Sequence, residues 1–600
     1  MPETAPHPVS HPTQPIPACP HRPACPGCPL IELPYADQLA RKRKTVLEAL
    51  RPYAYLADAT VSAPHPAPST TSYRVRAKLV ADAHALGLFA AGSHTVVDIP
   101  SCRVLRPAVD RAVQALRRLP LHRASVTSVD VREVDGGVLV TLAAEDRDSP
   151  ALATLVAEVQ TTIPDVVSLA ISARERSAPQ VLGIAPVVIA GATAARHTPD
   201  PDAPYHYAGP GAFTQAHPGQ LVRLHRHVES SLVQYLGSLE GRHVLELYAG
   251  TGAFGLRLAR AGARVTLVES FAPSMELAAR AAFEQGLVIE THVGDAGIEI
   301  ERFCAQGARF DAILVNPPRR GVAPQVRRAM ARLAPRVAVY VSCDPKTLAR
   351  DAADLARLGL APTSFHPYDM IPMSDAVETL AVFVPSRPVA PRVIHADDSL
   401  IAVDKPGHEP VTPHDGAPGS LLERVRQCLD APEAVALHPM GAGVSGVCLF
   451  GRTARAASEL SRSVTERSST WIVLAKGITH PKGTLRVAKK KRDQGPETRY
   501  TRVRVVGGHA WLNVYTQGND GRELPRVLAR IGHPVVGDGK QGDARTNQHF
   551  AHRHGLDRPF LHIDSVHLSR NGIALDLRAS IAPDLDAVRE SLEGRDVGQE

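Results

Sequence analysis

The stretch His243-Val244-Leu245-Glu246-Leu247-Tyr248-Ala249-Gly250-Thr251-Gly252-Ala253-Phe254-Gly255 decides the fold. Its first five residues read as a strand, the glycines that follow as a turn, and the residues after them as the start of a helix. Such a strand–turn–helix lets a ligand approach the backbone closely. The spacing departs from the GxGxxG dinucleotide fingerprint, so the turn alone does not name the ligand. Working outward, apolar runs at 264–268, 312–315 and 337–341 alternate with helical patterns. This predicts βαβ units and a parallel sheet across 206–386.

Carboxylates mark the ends of successive strands. Val268-Glu269 closes the second, where an acid can accept hydrogen bonds from ribose hydroxyls. Asp295, in Val293-Gly294-Asp295-Ala296, follows the next, within reach of an adenine amino group. Acidic strand ends around a glycine turn resemble the class I methyltransferases that use S-adenosylmethionine (SAM), although other doubly wound nucleotide domains share these features.

Two further motifs fall at carboxyl ends of parallel strands, where such sheets bind ligands. They are Asn316-Pro317-Pro318-Arg319-Arg320-Gly321 and Ser342-Cys343-Asp344-Pro345. Asn-Pro-Pro alone also suits methylation of an amino nitrogen, but an aromatic residue usually follows there, and here it is Arg319. Cys343 points to different chemistry. Carbon-5 of uracil is a poor nucleophile until a thiolate adds to carbon-6, after which a base must remove the carbon-5 proton. Donors must also hold the charge that develops on the ring oxygen. Cys343 is the candidate nucleophile and Glu378, in Ser374-Asp375-Ala376-Val377-Glu378-Thr379, the candidate base. Gln215 and the 316–320 loop are candidates to hold uracil and SAM. Taken singly, a cysteine is more often a buried structural residue, and a glutamate a solvated one.

Phe213-Thr214-Gln215, the Asn316–Gly321 and Ser342–Pro345 motifs, Asp369-Met370-Ile371-Pro372 and Glu378 together resemble the RNA uracil-5 methyltransferase family over roughly residues 19–385. The resemblance implies Cys343 as nucleophile, Glu378 as proton acceptor, and SAM contacts from Gln215, Tyr248, Glu269, Asp295 and Asn316. It departs at Ala253, where many members have Asn, and at Met373-Ser374, where many have a His-Thr pair. Many members also begin with a small β-barrel RNA-binding domain. This chain starts almost at its cysteines, so that domain is expected to be absent.

Cys19, Cys25, Cys28 and Cys102 offer four thiolates for a [4Fe–4S] cluster or a zinc ion. The C-x5-C-x2-C spacing is not the paired layout of structural zinc sites. It recurs, with the following Tyr35-Ala36-Asp37-Gln38-Leu39-Ala40-Arg41-Lys42, in the family members that carry an iron–sulfur cluster. The resemblance therefore implies a [4Fe–4S] cluster that orders an RNA-contacting loop. Cys304, Cys428 and Cys448 lack such spacing and read as core residues.

The 600 residues suit three or four domains, and a net charge of +7 with pI ≈ 9.0 permits a polyanionic partner without requiring one. No run of about 18 apolar residues predicts a membrane span, the N-terminus lacks the basic start and apolar stretch expected of a signal peptide, and few cysteines argue against a secreted disulfide scaffold. A cytoplasmic protein is expected. Residues 1–35 read as a cysteine-bearing loop and flexible start, 36–205 as an α+β RNA-binding module that begins with a short basic helix at 37–52, and 206–386 as the methyltransferase domain. Linkers are expected at 199–204 and 385–391, and disorder at 1–15 and 586–600.

Residues 393–585 resemble the large pseudouridine synthase family. The resemblance runs through Ile394 to Gly407, Ser445-Gly446, Glu497-Thr498-Arg499-Tyr500, Gly532-His533-Pro534-Val535-Val536-Gly537-Asp538 and Phe560-Leu561-His562. The catalytic positions fail to match. Gly441, in His438-Pro439-Met440-Gly441, stands where that family has its essential aspartate. Trp471 replaces its tyrosine, and Asn519-Asp520-Gly521-Arg522 scrambles a further element. A glycine has no group to attack ribose or base, so this domain is expected to be inactive and to bind RNA, with Lys489-Lys490-Lys491-Arg492 available to phosphates.

The sequence thus predicts an α/β protein: a Rossmann-like methyltransferase domain, an α+β N-terminal module with an iron–sulfur cluster, and an α+β pseudouridine synthase-like domain. The expected activity is methylation of a uridine in RNA, 23S rRNA before tRNA, with no protein partner implied. The alternatives are a non-catalytic RNA-binding or ribosome-assembly factor, against which the intact Cys343–Glu378 set argues, and a bifunctional enzyme, against which Gly441 argues.

Overall fold

Strands β1 (His243–Leu247), β2 (Arg264–Glu269), β3 (Ile289–Val293), β4 (Ala312–Val315), β5 (Val337–Ser342), β6 (Leu360–Tyr368) and β7 (Glu378–Pro385) form one sheet in the order β6-β7-β5-β4-β1-β2-β3. Pairing is parallel except that β7 runs antiparallel to both β5 and β6. The fold is that of a computed structural model, which describes residues 18–596 except 57–58, 164, 175–183, 213, 415–416, 439, 487–496, 518–520 and 571. Both faces of the sheet are covered, which is why its central strands read as unbroken apolar runs. Val244, Ala312, Leu314, Val337 and Val339 pack under the helices Pro218–Leu236, Ala253–Arg260 and Ala272–Glu284. Leu245, Ile313, Val315 and Ala338 face the helices Ala296–Ala305, Pro324–Leu333 and Pro345–Leu358. After β1 the chain builds outward to β3, then returns to place β4 on the other side of β1. Parallel sheets open a ligand crevice at such a reversal, beyond the carboxyl ends of the strands.

The basic helix predicted at 37–52 spans Tyr35–Leu50 and buries Val46 and Leu50 in the second of these two layers. Thr60–Val61 then adds a parallel strand beside β6. The described residues of 35–66 therefore pack on this first sheet, not on the module that follows it.

That module is a seven-stranded sheet, with strand order Val96–Asp98, Leu86–Phe89, Arg76–Ala81, Val126–Val134, Gly137–Ala144, Val166–Ala173, Ile184–Gly191. Helices Pro107–Arg117 and Pro150–Thr162 cover one face of it. The expected linker at 199–204 is pinned: buried Asp200 pairs with Arg226 at 3.0 Å and Arg257 at 2.9 Å.

Beyond 391 lies a second large sheet, whose strands include Leu400–Lys405, Ser445–Gly451, Val464–Ala475 and His509–Gln517. Disorder was expected from 586 onward, but the helix Pro583–Asp596 runs through that stretch. Leu585, Val588 and Leu592 recur at helical spacing and are buried beside Trp511, so this helix has a core to dock on. Residues 1–15 and the basic run 489–492 lie outside the described residues. No described helix is long and apolar enough to cross a membrane.

The C-terminal sheet is locked to the domain built on the first sheet. Arg424 donates to both Glu409 oxygens, at 2.8 and 2.7 Å, and to the Tyr55 hydroxyl at 3.0 Å. Arg357 approaches the same carboxylate at 4.0 Å, and Glu409 is 1 % exposed.

Candidate active site

A cavity of about 510 Å³ opens where the strand order reverses. Gln215, Tyr248, Glu269, Asp295, Asn316, Cys343 and Glu378, singled out in the sequence for dispersed reasons, all line it.

The glycine turn shapes its floor. Tyr248 and Gly250 adopt positive φ (61° and 56°), a conformation that costs a tyrosine energy and that the surrounding structure must hold. Gly250 donates its N–H to the Glu269 carboxylate at 3.1 Å, which ties the turn to the end of β2. Glu269 also accepts from the N–H of Phe271 at 3.0 Å, so only part of its hydrogen-bonding capacity remains for a ribose. Gly255 is required by packing, because a Cβ there would lie 2.5 Å from Leu267 and 2.7 Å from Glu246. Asp295 caps the helix Ala296–Ala305, accepting from Gly297 N at 2.8 Å. The Asn316 N–H donates to Leu247 O at 3.3 Å, joining the ends of β4 and β1.

The opposite wall carries the reactive groups. Cys343 follows β5 and precedes the helix Pro345–Leu358, whose first turn is capped by Asp344 accepting from Thr347 N at 2.9 Å. The same helix holds the 316–321 loop: Thr347 donates to Arg319 O at 3.0 Å and Arg350 to Arg320 O at 2.9 Å. The Cys343 side chain is exposed to the cavity. Partial desolvation and then the charge of Glu378 push its thiol upward, while Arg319, which donates to the sulfur, pulls it down. Glu378 is 5 % exposed, and burial raises its carboxyl to about 7, against a hydrogen bond from Gln215 and the charge of Arg319. A carboxyl in that range both takes and gives protons at neutral pH. Two contacts were not legible in sequence: Gln215, expected at SAM, donates to Glu378, and Arg319 emerges from its loop as the cation beside both reactive groups. Phe213 lies outside the described residues.

The Asp369–Pro372 motif and the 35–42 motif are explained by each other. Lys42, fully buried, donates to the Asp369 carboxylate, to Ile371 O at 3.0 Å and to Ala376 O at 2.7 Å. Tyr35 completes the cradle with a 2.7 Å bond to Asp369. These bonds fix the loop that leads into Glu378.

Cys19, Cys25, Cys28 and Cys102 converge on a second cavity, of about 100 Å³, with Met373 in its wall. Burial and then the neighbouring Cys102, Cys25 and Cys19 push the Cys28 thiol up to about 12. Among the described residues, no three of these sulfurs lie within 4.8 Å of one another. A tetrahedral zinc with bonds of about 2.3 Å needs its sulfurs roughly 3.8 Å apart. The segment is stapled to the catalytic loop, because Leu30 N donates to Met373 O at 2.9 Å and Met373 N to Gln38 Oε1 at 2.9 Å.

In the C-terminal sheet, Trp471 is 3 % exposed and donates to Thr516 at 3.2 Å. It packs so tightly on Gly521 that a Cβ there would lie 2.1 Å from the indole. Gly441 presents only backbone.

A family model described as conserved hypothetical protein 95 matches residues 225–357. The 23S rRNA (uracil(1939)-C(5))-methyltransferase RlmD of Pseudomonas aeruginosa is 31% identical over 378 residues, which cover 60% of this chain and 78% of that protein. Among solved structures, the Pyrococcus abyssi tRNA (uracil-54, C5)-methyltransferase in complex with S-adenosyl-L-homocysteine is similar at 25% identity and a TM-score of 0.48, covering 60% of this chain and 86% of that one. Human RNA pseudouridylate synthase domain containing 1 is similar at 18% identity and a TM-score of 0.26, covering 33% of this chain and 87% of that one.

Proposed function

Because the chain belongs to the RNA uracil-5 methyltransferase family and is an RNA methyltransferase that uses SAM, we propose that it methylates carbon-5 of a uridine in 23S rRNA through a Cys343 adduct. The observation that carries this reading is the presence of Cys343, Glu378 and Arg319 around one cavity that also holds the glycine turn and the acidic strand ends.

The Cys343 thiol loses its proton to solvent, and the thiolate sulfur adds to carbon-6 of the uracil, breaking the 5,6 double bond and leaving an enolate. Arg319 and the 316–320 loop supply donors where that negative charge develops. Carbon-5 then takes the methyl group of SAM, breaking its sulfonium S–CH3 bond and releasing S-adenosylhomocysteine, and the residues that would hold SAM are Gln215, Tyr248, Glu269, Asp295 and Asn316. Glu378 removes the carbon-5 proton, the 5,6 double bond re-forms and the Cys343 thiolate leaves. The N-terminus of the helix Pro345–Leu358 assists, since helix N-termini favour a thiolate.

Cys19, Cys25, Cys28 and Cys102 would hold a [4Fe–4S] cluster, which would order the 19–31 segment; the methyl transfer calls for no electron from it. The module ending near 205 and the C-terminal domain from 393 would contact RNA. The C-terminal domain would make no pseudouridine, since Gly441 offers no nucleophile and Trp471 fills the place of a tyrosine.

Anaerobically purified protein incubated with SAM and unmodified 23S rRNA or tRNA, followed by nucleoside mass spectrometry, tests the whole reading. New 5-methyluridine in 23S rRNA and no new pseudouridine are expected. Methylation of tRNA alone would move the substrate. Methylation of neither RNA would favour a binding factor, and new pseudouridine would overturn the inert C-terminal domain.

A further inference from the structure

Three histidines far apart in the chain meet outside the active-site cavity. His65 bridges to Tyr368 at the end of β6, His227 projects from the helix Pro218–Leu236, and His366 lies on β6. One ligating atom from each falls within 4.8 Å of the other two, and all three rings are half-buried. The ring centroids are 5.4, 6.1 and 4.5 Å apart.

Two of the rings are held by a hydrogen bond to one of their nitrogens. His227 Nδ1 meets the Tyr368 hydroxyl at 2.6 Å, and His366 Nε2 meets Ser364 Oγ at 2.9 Å. That leaves Nε2 of His227 and Nδ1 of His366 for another partner. Nε2 of His65 is buried with no hydrogen-bond partner. A buried ring nitrogen without a partner is costly, and metal-binding histidines are typically fixed through their other nitrogen. Stacking of His65 on Tyr368, at 4.3 Å and 13°, accounts for that ring's position but leaves its nitrogen unsatisfied.

We propose that His65, His227 and His366 bind one late first-row divalent cation of the zinc type. Imidazole nitrogens suit such ions, with bonds of about 2.0–2.1 Å for zinc, so a small closure of the three rings completes a facial triad. Partial burial of all three rings favours the neutral imidazole that ligates. The Arg223 guanidinium also faces His65 and opposes a dication, which favours an anionic or hydroxide fourth ligand. The site does not rest on the methyltransferase reading. Its role follows from position: Tyr368 pairs in register with Glu378 across β6 and β7. An ion here pins His65, the helix Pro218–Leu236 and the end of β6 behind the strand that starts with Glu378.

The test loads chelator-stripped full-length protein anaerobically with Co²⁺ alone. Visible d–d bands without thiolate-to-cobalt charge transfer are expected, at one equivalent per chain. That equivalent should persist in Cys25→Ser/Cys28→Ser and vanish in His65→Ala/His366→Asn. No such bands in the wild type, or an unchanged equivalent in the histidine variant, would overturn the site. Should the histidine variant misfold, zinc-edge X-ray absorption of the zinc-loaded Cys25→Ser/Cys28→Ser protein decides. Imidazole scattering from about three histidines supports the site, and its absence refutes it.

Discussion

Cys343 and Glu378 flank the Ser342–Thr379 pair, the last rung that joins β5 to β7. Ser342 of β5 pairs with Thr379 of β7, and because the two strands run antiparallel, the next residue forward on one faces the preceding residue on the other. The proposed nucleophile and base are thus each one residue away from a backbone-paired rung.

Glu378→Gln should trap the adduct. Addition and methyl transfer would proceed, but without a base the carbon-5 proton stays and the sulfur cannot leave. A protein–RNA band that survives denaturing gel electrophoresis is expected, dependent on SAM and absent from Cys343→Ala/Glu378→Gln. Cys343→Ala alone should lower methyl transfer by at least about 1,000-fold. A Cys343→Ala enzyme with near wild-type turnover would sink the covalent route.

Methylation should speed up as pH rises from 6 to 8. Glu378 must be ionised to accept a proton, and its carboxyl titrates at about 7. Cys343, pushed above its ordinary value, gains thiolate across the same range. Single-turnover rates against pH check this, and a rate that falls between pH 6 and 8 would contradict it.

The buried base costs stability. Its carboxyl lies near 7 in the fold against 4.5 when free, so the unfolded state holds fewer protons between those values and stability falls as pH rises through them. Above pH 7 the cost is on the order of 3 kcal/mol. Glu378→Gln should therefore melt at a higher temperature than wild type at pH 8, with the gap closing towards pH 4.5. An equal gap at pH 5 and pH 8 would argue against an ionisable origin.

Lys42→Met should destabilise the fold by about 3–5 kcal/mol, because it strands the Asp369 carboxylate, which is 0 % exposed. Adding Asp369→Asn should recover part of the loss. Thermal melts of the three proteins measure this, and a single variant as stable as wild type would exclude the pair as the anchor of the 369–373 loop.

Gly441→Asp should fold, since the nearest atom to a Cβ there is Val444 Cγ2 at 3.9 Å, yet still make no pseudouridine. Trp471 occupies the neighbouring core, and one carboxylate does not rebuild a site. Nucleoside mass spectrometry of the variant reads this directly.

The methyltransferase sheet was legible because burial on both faces writes each central strand as a continuous apolar run. Its site was legible because parallel strands deliver Glu269, Asn316 and Cys343 to one edge, whatever their separation in sequence. The docking of the helix Tyr35–Leu50 was not. Val46 and Leu50 meet Ile313 and Ala338 only after nearly 300 residues of intervening chain, and an amphipathic stripe does not say which sheet it will cover. The C-terminal helix was missed because Leu585, Val588 and Leu592 are sparse among charges, so composition resembles a tail even though the spacing is helical. The three histidines carry no local spacing at all. Only the closure of β6 against residue 65 and a helix 140 residues before brings them together.

The Arg424–Glu409–Tyr55 junction bears on how such a chain evolves. Tyr55 and Arg357 complete a buried charge network whose other members lie beyond residue 391. Cutting the chain at 390 would leave an arginine and a tyrosine shaped for partners that no longer exist. The second sheet is thereby entrenched: side chains inside it can change at little cost, but deletion of the whole domain would destabilise its neighbour. A lineage can shed the chemistry long before it can shed the scaffold.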